Sequence, residues 1–276
     1  MFSPPRRPRR SFAIEVLLLG GAVGSCARTP APKPPAPAPA KAVAAAPASG
    51  TDVVRAMHDR YAGAWYRSLT FIQKSTIWLP SGGTLVQTWL EAGKIPGRLR
   101  IDTDSLRQGG VIYAGDSVFA FAGGRLARAD TGMNDLLLLG FDVYMQPPEK
   151  TVAVLQRQGY NLSKLSHSTW EGRPVYVIGA TAGDTTSKQF WIDEERLLFV
   201  RLVEPRRTPS GTRRDDIRFQ KYVRHGGGWV AEEVMMYRDG RPSLREEYAS
   251  VRIDVPLLDA LFDPKQWSTV EHWYRK

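Results

Sequence analysis

Phe71-Ile72-Gln73-Lys74-Ser75-Thr76-Ile77-Trp78 reads with a two-residue period, Ser81-Gly82-Gly83 breaks the run, and residues 84–91 alternate again. Period two sends successive side chains to opposite faces of a strand, and a glycine-rich break between two such runs predicts a β-hairpin. The same rhythm continues toward the C-terminus. Short strands are predicted at 97–102, 110–114, 118–121 and 125–128, separated by Gly- and Asp-rich turns. It resumes at 166–170, 174–180, 187–193, 197–204, 214–225, 228–238 and 243–253. No strand–helix alternation of the doubly wound kind appears, so the expected class is mainly β, with about eleven antiparallel strands.

Two segments break this rhythm. Before the first hairpin, Val54, Met57, Tyr61 and Trp65 recur at helical spacing, with Ser49, Thr51 or Asp52 available as a cap. Between the two groups of strands, residues 135–141 are an apolar run, and Pro147-Pro148 opens a helix predicted over 149–158, with Gly159 as its stop. A long antiparallel sheet must close, double over or have its concave face covered. Two helices are too few to coat both faces. A strongly curved sheet, its hollow plugged by helices, is the expected architecture.

Upstream, the composition changes. Residues 1–50 carry seven Lys/Arg and one acid, and ten of the 20 prolines. Residues 51–276 carry 31 basic and 27 acidic side chains, so the basic character belongs mostly to the N-terminal segment and no nucleic-acid partner is expected. Arg6, Arg7, Arg9 and Arg10 precede an apolar stretch that ends at Val23-Gly24-Ser25-Cys26. That order reads as a signal segment over 1–26. Its end resembles a bacterial lipobox, with Cys26, the only cysteine, as the lipid-anchor residue. One cysteine excludes a disulfide framework. Residues 27–50, almost entirely Ala, Pro and Lys, read as an extended tether. The folded domain is expected over 51–267, with a tail at 268–276.

The order of motifs resembles a known family. The helix, Phe71-x-Gln73-Lys74, the hairpin, Pro96-Gly97-Arg98-Leu99-Arg100 and the Gly115-Asp116-Ser117-Val118-Phe119 turn are similar to the LolA-type outer-membrane lipoprotein-sorting proteins. So are Ser187-Lys188-Gln189-Phe190-Trp191-Ile192-Asp193, Leu197-Leu198-Phe199-Val200 and the segment from Val255 to Pro264. The resemblance spans roughly residues 52–265. It implies an incomplete, open β-barrel whose helices form a lid over a hydrophobic cavity that holds lipoprotein acyl chains or another lipid. It also implies envelope sorting proteins as partners, and LolB-type relatives are themselves lipid-anchored in the outer membrane. The sequence departs from the shuttle pattern at Ile95, where shuttle-type LolA carries an arginine thought to latch the lid.

A search for chemistry yields little. His58, His167, His225 and His272 lie near no second ligand at a metal spacing, and neither a nucleophile elbow nor a phosphate-binding loop is present. No metal, cofactor or enzymatic activity is expected. Asp193-Glu194-Glu195-Arg196 reads as a solvated turn, and Glu232-Glu233 and Glu246-Glu247 as strand neighbours facing opposite ways. Arg206, Arg207, Arg213 and Arg214 flank a hairpin tip, where they are either membrane-headgroup contacts or a solvated loop. The candidates for the cavity and its lid are Phe71, Trp89, Phe119, Phe121, Leu136, Leu138, Phe141, Tyr144, Phe190 and Ile192. Two functions follow: a lipid-anchored envelope carrier or acceptor of lipid, or a non-catalytic sensor or interaction module on the same fold.

Overall fold

The computed structural model describes residues 46–274 except 104 and 210, so the signal segment, Cys26 and most of the tether lie outside the described residues. The domain opens with helix α1, Gly50–Tyr61. Ser49 caps it, its Oγ accepting from the Asp52 N–H at 3.2 Å. The stripe Val53, Val54, Met57 and Tyr61 is buried. Gly50 is required where it stands: a Cβ there would lie 2.4 Å from Ile178 Cγ2.

The strands follow in two groups. The first is β1 (Ser68–Trp78), β2 (Thr84–Lys94), β3 (Arg98–Thr103), β4 (Gly109–Ala114), β5 (Ser117–Ala122) and β6 (Arg125–Thr131). Helix α2 (Asp135–Gly140), a 3-10 turn at Asp142–Tyr144 and helix α3 (Pro148–Arg157) come next. The second group is β7 (Leu165–Trp170), β8 (Arg173–Ile178), β9 (Gln189–Asp193), β10 (Phe199–Thr208), β11 (Gly211–His225), β12 (Gly228–Arg238) and β13 (Arg241–Ile253). Among the described residues all thirteen strands form one antiparallel sheet, ordered β6-β5-β4-β3-β2-β1-β13-β12-β11-β10-β9-β8-β7. The expected count of about eleven is therefore low. Each of the thirteen stretches read as strands overlaps one of these, the fully exposed edge strand β6 included, so the shortfall lies in the expected total and in no single strand.

This order explains the architecture. Each half is a meander of neighbouring strands, and β1 and β13 join the halves at the centre of the sheet. The two free edges, β6 and β7, flank the helical segment in sequence. The sheet is an open barrel, not closed between those edges, and its helices cover the concave face. Leu138 and Leu139 of α2, Val154 and Leu155 of α3, and Val53 and Met57 of α1 pack with Leu69, Phe190, Ile192, Phe199 and Val234 in one core.

A smaller core lies on the convex face. Phe121 stacks on Trp267 with ring centroids 4.1 Å apart, over Ile112. Gly110 leaves room for this packing. Its φ is +148°, and a Cβ there would meet Trp267 at 2.8 Å and the Ile101 carbonyl oxygen at 1.9 Å. Beneath Trp267, the buried Arg100 guanidinium pairs with Asp102 at 2.7 Å, and His272 Nε2 lies 3.0 Å from the same carboxylate. Val270 and His272 are buried, so the stretch from 268 to 274, expected as a tail, packs onto the domain. Asp193 likewise departs from the expected solvated turn. It is buried and held by Arg173 at 2.5 Å and Arg196 at 3.1 Å. Burial would raise its pKa, but the hydrogen bonds from Arg173 and Arg196 hold it below the usual carboxylate range.

Candidate functional site

The concave face retains a hollow of about 510 Å3 between the sheet and α2. Strand parity builds its wall. Phe71 of β1 pairs with Glu91 of β2, and Leu99 and Ile101 of β3 and Tyr113 of β4 face the same way. From the other half come Leu202, Ile217, Phe219, Met236 and Leu244. The wall is mostly apolar, as small-molecule sites usually are. The cover is α2, set by Asn134, whose Oδ1 accepts from the N–H groups of Leu136 at 2.9 Å and Leu137 at 3.3 Å.

Of the residues expected at the cavity, Phe71, Trp89, Leu136 and Phe141 line it. Phe119 and Phe121 do not. They are the β5 cross-strand partners of Ile112 and Gly110, which places them on the convex face under Trp267. Leu138, Tyr144, Phe190 and Ile192 belong to the concave side but are sealed in the core beneath the helices. Tyr144 stacks on Trp65 at 3.9 Å and its hydroxyl accepts from the Phe199 N–H at 3.1 Å. Phe190 meets Tyr160 edge-on at 5.3 Å. Helix geometry separates Leu136 from Leu138: two residues advance about 200° around the axis, so one faces the hollow and the other the core.

The hairpin arginines are divided. Arg206 reaches the mouth of the cavity and pairs with Glu204 at 2.7 Å and Asp215 at 2.9 Å. Arg213 also pairs with Asp215, at 3.0 Å, while the Arg214 backbone N–H donates to Asp239 at 2.8 Å. Arg207 is exposed. Beside this mouth, Lys188 bridges Asp135 of α2 at 3.1 Å and Glu204 of β10 at 3.0 Å, tying cover to sheet.

Sequence reasoning missed the polar floor. Glu91 and Glu246 both line the cavity, although they are only 5% and 9% exposed. Glu246 accepts from the Tyr248 hydroxyl at 2.8 Å, whereas the neighbouring Glu247 points to the other face and pairs with Lys74 at 3.4 Å. Burial, and then the charge of Glu246, pushes the Glu91 carboxyl well above its ordinary value. Burial pushes Glu246 up to about 7. The signal for Glu91 was present in its parity, since it lies two residues from Trp89 on one strand. Glu246 required the register between β1 and β13, which a single sequence does not reveal.

A raised carboxyl pKa makes the folded state bind protons more tightly than the unfolded chain. Stability therefore falls as pH rises from about 4.5, the ordinary value, to about 7. For Glu246 the fall is on the order of 3 kcal/mol. Glu246→Gln should be more stable than wild type at pH 8, with most of that advantage gone at pH 5. Thermal melts at the two pH values measure this. An advantage independent of pH would place Glu246 in water.

No family model matches the sequence, and no curated protein matches it. Among solved structures, an outer membrane lipoprotein-sorting domain from Vibrio parahaemolyticus superposes with TM-score 0.54 at 12% identity, covering 79% of this chain and 98% of that one. The fold is LolA-like. A DUF1329 family protein from Desulfovibrio piger superposes equally well, with TM-score 0.54 and 16% identity over 78% of this chain and 96% of its own. A LolA superfamily protein from Nitrosomonas europaea gives TM-score 0.49 at 12% identity, over 76% and 97%. At such identities the likeness is one of fold. Within this LolA-like fold Ile95 is buried in the main core.

Proposed function

We propose that the protein is a non-catalytic lipid carrier or acceptor of the bacterial envelope, and that its concave hollow takes acyl chains of lipoproteins or of another lipid. The observation that carries this reading is the hollow itself: an apolar wall under a leucine-rich cover, on a LolA-like sheet left open between β6 and β7. Each methylene moved from water into such a wall gains roughly 0.8 kcal/mol. About 12 methylenes thus give on the order of 10 kcal/mol gross, enough for useful affinity after the costs of ordering. The test is fluorescence titration with a pyrene-labelled diacylglycerol. Wild type should bind it, and Leu136→Glu should weaken binding by roughly tenfold or more, since a carboxylate then projects into the apolar wall. Equal affinity in both proteins would remove the hollow from the function.

The reading includes an anchor. Cys26 ends a basic and then apolar segment, and no other thiol is present for lipidation. Lipidation there would place the domain on a membrane facing the periplasm, with the outer membrane as the proposed residence, within reach of other envelope sorting proteins. Radiolabelled palmitate should enter the wild-type protein in cells and should not enter Cys26→Ser. Equal labelling of both would contradict the anchor.

A further inference from the structure

The floor of the hollow is chemically lopsided. Glu91 has no hydrogen-bonding partner among the described residues and faces the cavity. Gln73, fully buried, shares the sheet face of its cross-strand partners Trp89 and Tyr248, one lining the cavity on each side. Its Nε2 donates to Ser75 Oγ at 2.8 Å, and its Oε1, buried away from the hollow, has no partner among the described residues. At the cover, Asp135 Oδ1 is also buried without a partner, while Oδ2 accepts from Tyr160 at 2.8 Å. Four carboxyl groups line the hollow: Asp135 and Glu204 are paired with Lys188, whereas Glu91 and Glu246 have no cationic partner among the described residues. Among the described residues its only lining cation is Arg206, which is already paired with Glu204 and Asp215 at the mouth. The Tyr248 hydroxyl is spent on Glu246. Buried acceptors left unsatisfied are costly, so a ligand that supplies donors there gains from them.

We propose that the hollow prefers an amphiphile bearing a cationic ammonium group, which enters between Glu91 and Glu246 while its chain lies along the apolar wall. An ammonium group has three donors and no acceptor, which suits two carboxyl groups that lack a cationic partner. Its charge would favour ionisation of both carboxyls, converting a mutually repelling pair into a charge-assisted one. An anionic amphiphile would meet two like charges in a poorly solvated space. The same floor gives a neutral chain no comparable gain.

This inference rests on the lipid-carrier reading, and calorimetric titration of the purified full-length protein separates the two. Dodecylamine, dodecanol and dodecanoate share one chain length and differ at the head, and each is titrated at pH 8 below its micelle concentration. The amine is expected to bind roughly tenfold or more tighter than the alcohol, because one hydrogen-bonded charge is usually worth at least that factor. The alcohol should in turn bind more tightly than dodecanoate. In the Glu91→Gln/Glu246→Gln variant the preference of amine over alcohol should vanish. Equal affinity for amine and alcohol in wild type, or a preference for dodecanoate, overturns the ammonium site and leaves the carrier reading standing. Failure of all three to bind overturns both. Retention of the preference by the double variant also overturns the assignment to these carboxyls. The wild-type ranking decides the question even if that variant folds poorly.

Discussion

Leu138→Glu is expected to yield an aggregating or molten protein. Leu138 lies on a short helix beside the cavity, a position that suits either a movable cover or the core. It is fully buried, among Leu139, Val143, Leu155 and the strands beneath. A carboxylate there loses the packing of a leucine, worth about 2–5 kcal/mol, and adds an unpaired buried charge. The sum approaches the whole stability of an ordinary domain. Leu136→Glu, on the opposite side of the same helix, should remain soluble and melt cooperatively, since its side chain opens onto the hollow. Circular dichroism melts of the two variants check this. A well-folded Leu138→Glu would mean that α2 can leave the sheet.

The second large effect is expected on the convex face. Arg100 is fully buried, bonded through Nε and Nη2 to Asp102 at 2.7 and 3.0 Å, and lies 4.0 Å above the Trp267 ring. Its Nη2 also donates to the Trp267 carbonyl at 3.1 Å. Breaking a buried pair by removing one partner costs about 3–5 kcal/mol, because the other charge is left uncompensated. Arg100→Ala should therefore lower the melting temperature by about 10 °C or more. Acid should act through the same site. Burial opposes ionisation of Asp102, but hydrogen bonds from His272 and Arg100 outweigh it and bring the pKa down to about 2. A depressed carboxyl contributes stability above its unfolded value near 3.8, and that contribution disappears as pH falls toward 2. The contribution is about 2 kcal/mol. Arg100→Ala should lose part of this acid sensitivity. A variant that melts with wild type would show that the C-terminal segment does not need the pair.

The legible part of this structure was the part written in local periodicity. The hairpin at 71–91 and the helices near 50–61 and 148–157 follow from spacing and from caps such as Ser49. What the sequence hides is register and curvature. Phe119 and Phe121 are bulky and alternate on a strand, as true cavity residues do, yet they face outward because Trp267 arrives from nearly 150 residues away. Phe190 and Ile192 face inward but are covered by the helices, which a strand pattern cannot report. Glu91 and Glu246 come together only when β13 docks beside β1, closing the two halves into one sheet. His272 finds Asp102 by the same kind of long-range closure.

The central claim is that the hollow holds lipid. Native mass spectrometry of the purified protein, before and after extraction with organic solvent, tests it most directly. A lipid-carrying hollow predicts a discrete added mass of acyl-chain size before extraction, lost on extraction and restored by incubation with lipid. It also predicts that Leu136→Glu, though folded, carries little or none of that mass. A wild-type protein that carries no lipid and takes up none on incubation would rule out lipid carriage by the hollow.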